Sequence, residues 1–156
     1  MKKITTIILL LITACLCPAQ DAQLETAKKK IEAKDFTGAK TELTKIITAI
    51  PRNKIALNMR GLAQISLNDF YGAIGDFNFA LEVDSTYSEA LNNRGEAKMA
   101  LGDDEGAILD FDKAIKFNSK YTEAYSNRGL ARYNIEDLQG AYFDFSKALE
   151  LPPSVL

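Results

Sequence analysis

The chain has no histidine, no tryptophan and only four prolines, and its two cysteines, Cys15 and Cys17, both fall within the first 19 of 156 residues. Each shortage closes off a chemistry. Without imidazole there is no Ser–His or Cys–His pair for nucleophilic hydrolysis, and the nitrogen ligand common in zinc sites is missing. A chain cut after residue 19 would also have no thiol, and so neither disulfides nor thiolate catalysis. Net charge is -2; cutting after Ala19 removes Lys2 and Lys3 and leaves 17 basic against 21 acidic residues, or -4. A mildly acidic chain grips a phosphate backbone poorly, so nucleic acid is not an expected partner. We expect no catalytic residues, no metal and no cofactor.

What the chain does have is repetition. Gly-Ala recurs every 34 residues as Gly38-Ala39, Gly72-Ala73, Gly106-Ala107 and Gly140-Ala141. Arg-Gly recurs at 60, 94 and 128, and Asp-Phe at 76, 110 and 144. A fixed period of this length marks a stacked array in which each unit buries its apolar face against its neighbours. Four units tile the sequence: 20–53, 54–87, 88–121 and 122–155.

Residues 1–19 read differently. Met1-Lys2-Lys3 is a short positive start, followed by the uncharged, mostly apolar run Ile4–Ala14 and then small residues and a proline. This is the layout of a secretory signal peptide, and the uncharged stretch to Gln20 is slightly short for a bilayer crossing. Cleavage after Ala19 would release a chain beginning Gln20-Asp21. Alternatively, Ile12-Thr13-Ala14-Cys15 resembles a bacterial lipobox, with Cys15 lipidated and left as the new N-terminus. Either route places the folded part outside the cytoplasm, in the periplasm or cell envelope or secreted, and only lipidation at Cys15 brings it to a membrane.

Within the unit 54–87, Leu57, Gly61, Leu62 and Ile65 fall at helical spacing, which predicts a helix over about 54–67. Asn68-Asp69 supplies turn chemistry. A second helix follows over about 70–83, with Ala73, Ile74, Phe77, Ala80 and Leu81 as its stripe, and Asp84-Ser85 can cap the next helix. Each unit is thus a helical hairpin, and the fold is all-α, a solenoid of four tandem hairpins. Gly61 is expected to face Ala73 so that the backbones approach closely, offsetting the ~1 kcal/mol that glycine costs inside a helix.

The order of small, aromatic and alanine positions resembles the tetratricopeptide repeat (TPR). Asn-Arg-Gly followed by Gly-Ala-Ile and Asp-Phe is similar to a common bacterial variety of it. The resemblance covers Gln20 to Val155. The first unit departs most, with Ala27, Leu43 and Ile46 at the glycine, phenylalanine and later alanine positions; Pro51 and Pro153 stand at the closing proline position, and Ser85 and Ser119 replace it. The resemblance implies a right-handed stack whose first helices line a concave groove for an extended peptide or a helix of another protein.

Some members of that family clamp a C-terminal carboxylate with lysine, asparagine and arginine. Carried over, those positions hold Leu24, Lys28, Met59, Glu89 and Asn93, or, one unit along, Asn58, Leu62, Asn93, Glu123 and Asn127. Neither register supplies the cations, and Glu89 and Glu123 would repel an acidic tail, so no such clamp is expected. The expected groove face is Asn58, Met59, Leu62, Asn92, Asn93, Glu96, Met99, Asn127, Leu130 and Tyr133. Asparagine offers both donor and acceptor, so the row is a candidate for holding a peptide backbone; the competing reading is a solvated template surface.

Arg60, Arg94 and Arg128 recur in step with Asp76, Asp110 and Asp144, and a pair reused in three units reads as an ion pair joining helices. Asp103-Asp104-Glu105 lacks the spacing of a calcium loop and falls in a turn. Lys28-Lys29-Lys30 lies in a unit of net charge +2, whereas each of the other three sums to -2; the run reads as a solvated helix face, or as membrane-proximal if Cys15 carries lipid. Many TPR arrays finish with an extra polar helix, whereas here the sequence closes on Pro152-Pro153-Ser154-Val155-Leu156. Tyr142, Phe145, Leu149 and Leu151 are therefore expected to stay partly uncovered, a candidate surface for self-association.

Overall fold

The computed structural model describes residues 21–152. The proposed signal peptide, the Cys15 site and Pro153 lie outside them. Among the described residues there are eight helices and no strand. The first, α1, covers residues 21–32. The others are α2 (Phe36–Ala49), α3 (Lys54–Ser66), α4 (Phe70–Val83), α5 (Ser88–Ala100), α6 (Asp104–Phe117), α7 (Thr122–Asn134) and α8 (Leu138–Glu150). They pair as α1–α2, α3–α4, α5–α6 and α7–α8, within the four units read from the sequence.

The same local device closes every hairpin. One residue turns left-handed: Lys34 (φ 59°), Asn68 (φ 59°), Gly102 (φ 81°) and Glu136 (φ 64°). The aspartate that follows caps the second helix, its carboxylate accepting from the backbone N–H of Gly38 (2.9 Å), Gly72 (3.1 Å), Gly106 (3.0 Å) or Gly140 (3.0 Å). A side chain at these glycines would collide with the capping carboxylate, so the recurring Gly-Ala glycine makes room for the cap.

The other recurring glycine makes room for an aromatic ring. A Cβ on Gly61 would lie 2.5 Å from the Phe77 ring, and one on Gly95 2.6 Å from Phe111. The close approach is thus glycine to phenylalanine, rather than glycine to the Ala73 expected from the pattern. Phe77 and Phe111 are fully buried. Around Phe77 pack Leu57, Ala73, Ala80, Ala90 and Ala97, with Ile47 from the preceding hairpin. One cluster therefore draws on three units, as stacking requires.

At the first junction between hairpins Asn53 caps α3, its side chain accepting from the Ala56 N–H (3.0 Å), but at the next two the expected cap is replaced. Tyr87 and Tyr121 occupy the N-cap positions of α5 and α7 without a side-chain cap bond. Asp84 instead accepts from the Thr86 N–H (3.0 Å) and hydroxyl (2.7 Å) and pairs with Lys54 at 2.5 Å. These bonds, that of Lys54 first, hold its carboxyl down at about 2.

The stacking gives the array a direction of curvature. Successive first helices touch, α3 with α5 and α5 with α7, whereas successive second helices make no comparable contact. Closer spacing on one side places α3, α5 and α7 on the inner face.

Candidate functional site on the inner face

A buried carboxylate locks each inner helix in place. Arg60 donates from Nε to Asp76 Oδ2 (2.7 Å) and from a terminal nitrogen to Oδ1 (2.6 Å). Its remaining nitrogen donates to the Thr44 hydroxyl of the previous hairpin at 3.2 Å. Arg94 repeats this with Asp110 and Asn78, and Arg128 with Asp144 and Asp112. Each arginine thus ties one inner helix to two outer ones, and bidentate geometry fixes its plane. Asp110 also meets Lys98 at 2.8 Å and Asp144 meets Arg132 at 2.8 Å. Gln64, with its amide nitrogen assigned toward Asp76, does the same at 2.8 Å. The first unit has Thr26 and Glu42 at the equivalent positions and lacks the clip.

The asparagine row forms a second ladder. Asn127 Nδ2 donates to Asn92 Oδ1 (3.1 Å), Asn92 Nδ2 to Asn93 Oδ1 (3.4 Å), and Asn93 Nδ2 to Asn58 Oδ1 (3.0 Å). Asn58, Asn92 and Asn93 are buried, and Asn127 is half-buried. The row read as an open surface is therefore engaged with itself, because these positions fall at the seam between adjacent inner helices. Met59 is likewise buried, in the core of the first two hairpins.

The open strip runs beside that seam. Leu130 and Tyr133 on α7 are exposed, as is Ile55 at the start of α3; Leu62 and Met99 are half-buried between them. Glu96 on α5 is also exposed, yet partial withdrawal from water pushes its carboxyl above the ordinary glutamate range. The two facts fit a group on a concave wall, open at its tip and crowded at its sides. Tyr121 is pushed up first by burial and then by the negative charges of Glu89, Glu123 and Glu96. Burial and Glu89 push Tyr87 the same way. Ile55 and the two tyrosines were missed in the sequence, although Tyr87 and Tyr121 stand 34 residues apart.

The charged runs take structural roles. Asp103 caps α6, and Asp104 accepts from Asn134 at 2.8 Å. Lys28 and Lys29 are solvent-exposed and Lys30 pairs with Asp35 at 3.1 Å. Among the described residues no His/Cys/Asp/Glu group is placed to hold a metal ion, and no helix is long and apolar enough to cross a membrane. At the far end, Tyr142 (77%) and Leu149 (88%) are exposed, and Phe145 (39%) lacks the complete cover of Phe111.

The TPR repeat family matches residues 95–135, from the middle of α5 to the end of α7. The structure resembles a thermophilic TPR protein of Thermus thermophilus (TM-score 0.79, 18% identity, 86% of this chain and 75% of that one). It also resembles MamA (TM-score 0.77, 23% identity, 84% and 77%). The fold is a TPR solenoid. A third likeness, at TM-score 0.72 and 24% identity over 75% of this chain and 93% of the other, is to the first TPR of Spaghetti (RPAP3), a structure bound to the HSP90 peptide SRMEEVD. Comparison with curated protein sequences gives no match.

The clip generates a direct test. Arg94→Ala leaves Asp110 buried with Lys98 as its remaining cation. It should cost about 2–3 kcal/mol, less than the usual cost of unpairing a buried ion. Thermal melting followed by circular dichroism measures this, and an unchanged melting temperature would remove the clip from the fold's supports.

Proposed function

We propose that this chain is an exported interaction scaffold or adaptor that holds an extended peptide or a helix of another protein against its inner face. One observation carries the reading: a strip of accessible apolar side chains, Ile55, Leu62, Met99, Leu130 and Tyr133, crosses three hairpins whose relative positions are fixed by buried polar ladders. A rigid strip loses little conformational freedom when a partner binds, which favours affinity. The peptide bound by the similar TPR of Spaghetti supports this use of the fold.

A photocrosslinking amino acid tests the face directly. Placed at Leu130 or Tyr133, it should trap a defined protein in intact cells, whereas at the outer-face residues Phe79 or Leu109 it should not. Equal trapping from both faces contradicts the proposal.

The apolar stripe Leu138, Tyr142, Phe145 and Leu149 on α8 favours a second contact, self-association end to end. A lipid-anchored envelope assembly factor is the alternative to a released adaptor, and the mature N-terminus separates them. A mass matching a chain that begins at Gln20 supports release, and a lipid-modified Cys15 supports the anchor.

A further inference from the structure

The inner face is not evenly charged, and the distribution selects a partner. Glu89 and Glu96 are solvent-exposed and stand about two helical turns apart on one face of α5, whose neighbour α7 offers the exposed Leu130 and Tyr133. Glu96 has no cation within ion-pair distance among the described residues. The cations of the same two helices are committed elsewhere: Arg94 and Lys98 to Asp110, Arg128 to Asp112 and Asp144, and Arg132 to Asp144 and Asp137. All of them sit on the side of the helices that meets the outer row. The groove side of α5 is thus left with negative charge beside the apolar Met99, Leu130 and Tyr133.

We infer that the groove is specific for a basic amphipathic segment of a partner protein, whose apolar residues cover Leu62, Met99, Leu130 and Tyr133 while a lysine or arginine meets Glu96 and its neighbour Glu89. This inference rests on the groove being the binding face and adds the sign of the ligand. Charge complementarity of this kind speeds encounter and excludes wrong partners, since a like charge set opposite a desolvated carboxylate is repelled. An opposite charge set close to Glu96 favours its ionised form and so offsets the partial burial that disfavours it. An acidic tail such as SRMEEVD, which the similar Spaghetti TPR carries, faces repulsion here.

The test uses the full chain and an array of synthetic peptides of one length and constant leucine and tyrosine content, with net charge running from strongly acidic to strongly basic. SRMEEVD is included as an acidic member. Basic members should bind, more weakly as salt is raised, and acidic members should not. Glu96→Gln should weaken the basic members about three- to fivefold, whereas Glu105→Gln, the same charge change on the outer helix α6, should leave them unaltered. Glu96→Lys should shift preference toward acidic members. Both substitutions at Glu96 are at an exposed position, and a melting curve confirms that each variant is folded. Binding that is indifferent to peptide charge, or equal in wild type and Glu96→Gln, overturns the assignment of a basic ligand while leaving the groove as the binding face. If no member of any charge perturbs the NMR signals of Leu130 and Tyr133, the groove reading fails and takes this inference with it.

Discussion

A carboxylate with almost no access to water is the constraint around which this array is arranged. Asp76, Asp110 and Asp144 are buried at one repeated position, where an unpaired charge would be very costly. Each is satisfied by an arginine plus a second polar partner four residues further along the same inner helix. Because the arginine's third nitrogen reaches back to the preceding outer helix, satisfying the carboxylate also sets how one hairpin sits on the last. Such pairs add little net stability over a well-packed apolar substitute. Their use here is geometric: they admit one stacking arrangement, and the asparagine ladder on the other side of the inner helices reinforces it.

The two ends of the array depart from this rule in different ways. The first hairpin lacks the clip and is held instead by side-chain packing, with Ala27, Leu43 and Ile46 buried where the other units use glycine, phenylalanine and alanine. A smaller inner residue is unnecessary when the facing residue is leucine rather than phenylalanine, so the substitutions compensate one another. The last hairpin keeps the clip but has no following helix among the described residues. Its phenylalanine, Phe145, therefore remains partly open, although like Phe111 it follows an aspartate and stands two residues before a Lys-Ala pair.

Much of this was legible in the residues alone. The period gave the hairpins and their boundaries to within a residue, as for α3 and α4, because helical spacing and turn chemistry are local. The Arg and Asp pairing was also legible, since opposite charges that repeat in step at a fixed offset can neutralise each other in every unit. The groove was less so. Asn58, Asn92 and Asn93 share a helix turn with Leu62 and Glu96, and spacing alone does not tell which of two neighbouring positions faces solvent and which faces the next helix. That distinction depends on how closely the inner helices approach, which is a property of the stack. The contribution of Tyr87 and Tyr121 was hidden for a similar reason: they lie in turns, where periodic patterns give no orientation.

The arrangement separates structural polar groups from those left open. Arginines, aspartates and asparagines serve the stack, while the open strip is apolar with glutamates on one flank. The account therefore turns on the hairpins behaving as one coupled body rather than as four loosely strung units. Native-state hydrogen exchange on Asp110→Asn tests this most directly. The account predicts that amides of α4, α5 and α6 lose protection together, because the altered carboxylate holds two hairpins in register through Arg94. Loss confined to α6, with α4 and α5 as protected as before, would contradict it.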